Sequence, residues 1–141
     1  KCPANWSRFR NQCYIARTGG FTHHHSEIIC AALRGRLVWF NRRNRQSFLD
    51  EIRFVDGLAL AAGAKLYWIG LNKVGQNWIW TNGKVATLTN WRGSEPDGCC
   101  SSNVTCATAG YRGARGLWDD TGCQRAWSTD HGFVCKRPTR P

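Results

Sequence analysis

Four of the nine acidic residues of this 141-residue chain lie in two short segments, Glu95-Pro96-Asp97 and Trp118-Asp119-Asp120. Carboxylates brought together repel unless something neutralises them. The neighbouring Arg92, Arg112, Arg115 and Arg125 are one candidate, but exposed pairs of that kind contribute only about 0–1 kcal/mol and require no special arrangement. A calcium ion is the other, since it takes about six to eight oxygen ligands and prefers carboxylates and carbonyls. On a regular strand Asp119 and Asp120 point in opposite directions, so one ion can use both only through a bend or a backbone carbonyl.

Other chemistries find less support. Paired carboxylates can serve as the acid and base of a glycosidase. Four crowded carboxylates, however, suit a cation better than one proton-holding acid beside one ionised base. No Gly-x-Ser-x-Gly, His-Glu-x-x-His or phosphate-loop pattern occurs, and the chain is read as a non-enzyme. His23-His24-His25 offers metal or pH chemistry, yet consecutive helical residues diverge, so the three cannot grip one ion. Asn5-Trp6-Ser7 and Asn103-Val104-Thr105 match the N-glycosylation pattern. A glycan on Asn103 would preclude its service as a calcium ligand.

The surrounding composition sets the scaffold. A chain of this length, 42% hydrophobic, is enough for one domain with a real core. Eight cysteines in so short a chain argue for an oxidising compartment and disulfides, hence a secreted, extracellular protein. No CxxC pair supports zinc. No apolar run is long enough to span a bilayer, and a chain without methionine reads as a processed product or excised domain. The net charge of +11 rests on 15 Arg and 5 Lys, and Arg favours bidentate recognition of sulfate, phosphate and carboxylate.

The elements that must position the acids are partly legible. A strand is expected over 12–17 and a helix from the Thr22 cap to about 33, stopped at Gly35. An extended segment follows at 37–40. A second helix is expected over 44–55, with Phe48, Leu49, Ile52 and Val55 on one face. Residues 57–64 read as a small-residue loop and 66–71 as a buried strand. Asn82-Gly83 signals a hairpin between strands 78–80 and 85–91, with closing strands at 117–119 and 131–136. The 25 residues between Trp91 and Leu117 lack periodicity but hold Cys99, Cys100 and Cys106. They read as a tethered functional loop. The domain is placed at 1–136, followed by a frayed tail over 137–141.

In this order the residues resemble those of the C-type lectin-like domain family, in its long form, over nearly the whole chain. Cys2-Pro3, Trp6, Phe9 and Cys13-Tyr14 are similar to its opening. Trp68-Ile69-Gly70-Leu71 resembles its most recognisable segment. Trp80-Thr81-Asn82-Gly83, Asn90-Trp91, Glu95-Pro96-Asp97, Trp118-Asp119-Asp120 and Phe133-Val134-Cys135-Lys136 follow in the family's order. The implied fold is α+β, with two helices flanking antiparallel sheets and a long disulfide-tethered loop.

The resemblance implies disulfides Cys2–Cys13, Cys30–Cys135 and Cys106–Cys123, and a cis peptide before Pro96. Cys99 and Cys100 are left over. Adjacent Cα atoms lie about 3.8 Å apart, below the usual disulfide span, so the two either form a strained ring or link to another chain as a homodimer. The implied Ca2+ ligands are Glu95, Asp97, Asp119 and Asp120, with Asn103, Ser101 or a water replacing an acidic residue that the family places where Val104 stands. The same four acids would bind the sugar, with Trp91 and Trp127 available to stack on it. Glu-Pro-Asp lies between the family's mannose-type Glu-Pro-Asn and galactose-type Gln-Pro-Asp. An ionised Asp only accepts hydrogen bonds, so at both 97 and 119 the amide donor that a sugar hydroxyl needs is lost. Each missing bond costs about 1–3 kcal/mol. The expectation is a secreted calcium-dependent lectin of microbial or anionic surface sugars, sulfated or phosphorylated glycans included, acting in innate immunity. No nucleic acid partner is expected. The alternative is a lectin-like domain that binds a protein, mineral or polyanionic surface through arginines without calcium.

Overall fold

The computed structural model describes residues 1–98, 103–125, 129 and 131–139. Helix α1 (His23–Ala32) begins where Thr22 Oγ1 accepts from the His25 amide at 3.2 Å. This is the expected cap. It ends at Arg34, whose φ of +64° is left-handed. Gly35 follows with no room for a side chain, since a Cβ would come 2.8 Å from the Lys136 carbonyl. Helix α2 (Arg45–Ala61) is capped by Asn44 Oδ1, which accepts from Ser47 N at 3.0 Å.

Two expectations change here. Helix α2 runs through the segment read as a small-residue loop, because Ala59 is fully buried and continues the inward stripe of Phe48, Ile52 and Val55. Gly57 stands in open space within it, and the chain turns at Gly63, φ +85°. That stripe also contains Glu51, which follows Phe48 by three residues and is wholly buried. Its carboxylate accepts from Tyr14 Oη, from Lys136 Nζ at 2.6 Å and from Arg42 Nε at 3.0 Å. Lys136 is 3% exposed and also donates to the Trp39 carbonyl at 2.9 Å. Burial pulls the Lys136 amine below its ordinary range, while burial and then Glu51 hold the Tyr14 phenol well above its own.

Eight strands form one mixed sheet: β1 (Ser7–Phe9), β2 (Gln12–Thr18), β3 (Arg36–Leu37), β4 (Leu66–Val74), β5 (Asn77–Trp80), β6 (Cys106–Ala109), β7 (Trp118–Thr121) and β8 (His131–Pro138). The order is β1-β2-β8-β4-β6-β7, with β3 on β8 and β5 on β4. Among the described strand pairs only β4 and β8 run parallel, Trp68 opposite Phe133. Strand β8 continues through Pro138, paired with Gln12, so residues expected to fray close the sheet instead. Disulfides Cys2–Cys13, Cys30–Cys135 and Cys106–Cys123 are formed. Cys99, Cys100, Ser101 and Trp127 lie outside the described residues.

The hairpin expectation is corrected as well. Strand β5 pairs with β4 across Gly75, and after the Asn82-Gly83 turn only an isolated bridge joins Ile79 and Val85. Residues 85–91 form no strand beyond such single bridges. The apparently unpatterned loop contains β6, whose Cys-Ala-Thr-Ala residues are all buried. Lying between β4 and β7, β6 is covered on both faces, which removes the alternation that marks a half-exposed strand. Among the described residues, no helix is long and apolar enough to cross a membrane.

Candidate metal and ligand site

The acidic segments are held on an aromatic base. Trp118 at the head of β7 is fully buried and packs against Phe40, Phe48, Trp80 and Trp91, with ring centroids 5.4–6.0 Å away. The preceding segment zips alongside it. Trp118 N donates to Asn90 O at 2.9 Å, Arg92 N donates to Trp118 O at 2.8 Å, and Trp91 bridges Trp118 in parallel register. Asn90 Nδ2 ties the next turn through Gly116 O at 2.9 Å. Trp91 is half-buried, 5.0 Å from the Trp78 ring. It anchors the loop that carries the acids.

Within that frame the Glu95–Pro96 peptide is cis. Glu95, Asp97 and Asp120 each bring a carboxylate oxygen to within 4.8 Å of the others. Asp120 also accepts from Gly98 N at 2.8 Å and Asp97 N at 3.4 Å, which pins the loop over β7. Burial, then a hydrogen bond with Asp120, then the charges of Asp119, Asp97 and Asp120 push the Glu95 carboxyl up to about 7. The cluster therefore holds more negative charge than it can keep ionised by itself.

Asp119 is set apart from the trio. Strand β7 is regular, pairing Asp119 with Thr108 and Asp120 with Ala107, so the two side chains diverge as strand geometry dictates. Asp119 receives both arms of Arg92, Nε at 2.8 Å and Nη2 at 2.6 Å. Arg92 Nη2 also stands 3.9 Å from Glu95 Oε2. Of the four acids expected around one ion, Glu95, Asp97 and Asp120 converge in this structure, and Asp119 faces a guanidinium. Arginine pairing thus accounts for Asp119, through Arg92 alone; Arg115 pairs instead with Asp56 at 2.8 Å. The signal for Arg92 was present in the sequence. Once Trp91 lies beside Trp118, Arg92 and Asp119 are the next residues on each side.

The remaining candidates are placed as follows. Val104 is buried at 7% exposure and presents no ligand atom. Asn103 is exposed in a turn, and Cys106–Cys123 fastens β6 to the chain leaving β7. His23 is buried edge-on to Trp68 at 5.3 Å, and burial lowers its pKa; His24 and His25 are exposed. The histidine triplet does not converge.

The donor set suits a hard cation in part. Three carboxylates within a few ångströms, one of them driven to take up a proton, fit calcium's preference for charged oxygen. Asp119, engaged by Arg92, and Val104 offer nothing more without rearrangement.

Comparison with known proteins places this geometry in a family. Residues 20–137 match the model of the Lectin C-type domain. The chain is 27% identical over 143 residues to C-type lectin domain family 4 member M of Gorilla gorilla gorilla, covering 98% of this chain and 34% of that protein. It is 28% identical to asialoglycoprotein receptor 2 of Rattus norvegicus, covering 96% and 42% respectively. It thus spans well under half of either relative. Among solved structures, the cow C-type carbohydrate-recognition domain of CD23, crystallised in the presence of a GlcNAc2Man3 oligosaccharide, superposes with a TM-score of 0.79 at 25% identity, covering 100% of this chain and 98% of that one. Herring type II antifreeze protein shares the fold at a TM-score of 0.81 and 21% identity, over 99% and 100%. With its α+β architecture, its disulfides Cys2–Cys13, Cys30–Cys135 and Cys106–Cys123 and its sheet-anchored acidic loop, the chain belongs to the C-type lectin domain family.

Proposed function

We propose that the domain is a secreted, calcium-dependent glycan-binding module whose ion is held by Glu95, Asp97 and Asp120, with the Asn103 carboxamide or water completing the shell. The convergence of those three carboxylate oxygens within 4.8 Å carries the reading. When bound, the ion would supply a Lewis-acidic centre for a pair of sugar hydroxyls. The chain itself supplies acceptors at Glu95 and Asp97 and a rigid floor at Trp118. The Arg92 guanidinium, about a third exposed at 32%, lies at the edge of the cluster. Its charge favours glycans bearing sulfate, phosphate or carboxylate, such as those of microbial or anionic surfaces. Trp91 serves as an anchor more than as a stacking platform. The sugar-receptor character of the relatives, and the oligosaccharide named with the CD23 domain, support glycan as the ligand class.

The Arg92–Asp119 pair favours a second reading, in which the guanidinium is the site's permanent cation and the domain recognises its ligand without calcium. A glycan array probed in calcium and again in excess chelator separates the two. Binding that disappears with chelator supports the calcium-dependent module, and binding indifferent to chelator removes it.

A further inference from the structure

Six of the fifteen arginines gather on the face that the β1–β2 turn makes with the start of α2. Arg8 in β1 and Arg10 in the β1–β2 turn meet the start of α2, where Arg42, Arg43 and Arg45 surround Asn44 and Arg53 follows two turns on. Arg10 makes the join. Its Nη1 donates to Ser47 O at 3.2 Å, its Nη2 stands 3.7 Å from Asp50 Oδ2, and its guanidinium lies 4.6 Å from the Phe9 ring centre. Arg8 Nε donates to Arg10 O at 2.8 Å, and the Arg45 guanidinium sits 5.9 Å from the Phe48 ring. Each contact uses one edge or face of a guanidinium and orients the rest of the group.

Counter-charge on this face is scarce. Glu51 is fully buried and committed to Lys136, Arg42 and Tyr14. Asp50 is the one other carboxylate here among the described residues, already shared by Arg10, Arg53 at 3.4 Å and Gln46 at 2.8 Å. Six arginines and Lys136 therefore oppose two carboxylates. Local preference is also broken twice in favour of arginine. The first turn of α2 has Arg45 and no acid, the reverse of what the helix dipole favours. Arg10 sits at φ +56°, where side chains are disfavoured.

We propose that this arginine face is a docking surface for a sulfated polysaccharide chain, independent of calcium. A repeating anion neutralises an extended face, and guanidinium matches sulfate and carboxylate bidentately. Disulfide-bonded domains work where such polysaccharides occur, outside the reducing cytosol. Single-stranded nucleic acid is the poorer match, because it binds by stacking bases on open rings, and the rings that these arginines touch are already engaged. Phe9 is covered by Arg10 and stacked on Phe54 at 4.8 Å, and Phe48 is fully buried. A membrane is poorer still, since of Ile28, Leu60, Val74 and Val85, the large exposed apolar side chains among the described residues, only Leu60 shares an element with these arginines. Among the described contacts, none joins these arginines to Glu95, Asp97, Asp119 or Asp120.

The test is retention on immobilised heparin in excess chelator across a salt series. Three proteins are compared: wild type, the double variant Arg43→Gln/Arg45→Gln, and a charge-matched control, Arg17→Gln/Lys84→Gln, drawn from the far end of β2 and from the Asn82-Gly83 turn. Circular dichroism checks that each is folded. For the first variant the slope of log affinity against log salt should become shallower by roughly one to two, with affinity about tenfold lower near physiological salt. The control should stay close to wild type. Equal losses in both variants would show that net charge alone acts and overturn the assignment to this face. Equal binding of desulfated heparin, or of a single-stranded oligonucleotide of matched charge, would overturn the assignment to sulfate.

Discussion

Glu95 couples the proposed ion to pH in a way that can be measured. In the cation-free protein its carboxyl titrates at about 7 instead of 4.5, raised by burial, by Asp120 and by the surrounding carboxylates. At pH 7 it therefore carries about half a proton, at pH 6 about 0.9 and at pH 8 about 0.1. A divalent ion needs the ionised oxygen, so binding must expel whatever proton is present. Calorimetric titration of calcium at pH 7 in two buffers of different ionisation enthalpy should show release of about half a proton per ion. The release should grow toward one at pH 6 and nearly vanish at pH 8. Apparent affinity should fall about tenfold from pH 8 to pH 6, because only the ionised fraction competes for the ion. The stability consequence has a definite sign. With its folded pKa raised, Glu95 favours the cation-free fold fully below about pH 4.5 and loses that contribution as pH rises through about 7. Calcium should accordingly protect against thermal unfolding more at pH 8 than at pH 6. Calcium binding without proton release at pH 7, or with equal affinity at pH 6 and 8, would refute the reasoning.

Two further predictions concern residues around this centre and beneath it. Replacing Arg92 with Gln should tighten calcium binding by about fivefold or more by releasing Asp119 toward the cluster. Adding Asp119→Asn should cancel the gain, while unchanged or weaker binding in Arg92→Gln would show that the guanidinium does not compete. Lys136→Met leaves the Glu51 charge buried without its closest cation and should cost about 3–5 kcal/mol, read as a fall in melting temperature of roughly 10 °C or more. The double variant Lys136→Met/Glu51→Leu should recover most of that loss, and a single variant as stable as wild type would show that Arg42 alone suffices for Glu51.

What the sequence disclosed followed from strong local chemistry. Thr22 and Asn44 cap helices, the Phe48-Ile52-Val55 stripe faces inward, and the three cysteine pairs join as the family resemblance implied. The concentration of acids in Glu95-Pro96-Asp97 and Trp118-Asp119-Asp120 was also visible, and the carboxylates of Glu95, Asp97 and Asp120 lie within 4.8 Å of one another. What stayed hidden depended on tertiary neighbours. Strand β6 reads as loop because both of its faces are buried by small residues. Gly57 looks like a terminator, but the helix passes through it because Ala59 has a place in the core. Glu51 lies at a core position of α2, and the lysine that neutralises it is 85 residues further along. Asp119 could be assigned to Arg92 instead of to an ion only once Trp91 was known to lie beside Trp118.

The central claim is that Glu95, Asp97 and Asp120 hold one calcium ion. Equilibrium dialysis against radioactive calcium at pH 8 addresses it without reference to any glycan. One ion per wild-type chain is expected, with loss of that ion in Asp120→Asn and in Glu95→Gln while the fold stays intact by circular dichroism. A wild-type chain that binds no calcium in the millimolar range, or variants that bind it as well as wild type, would contradict it.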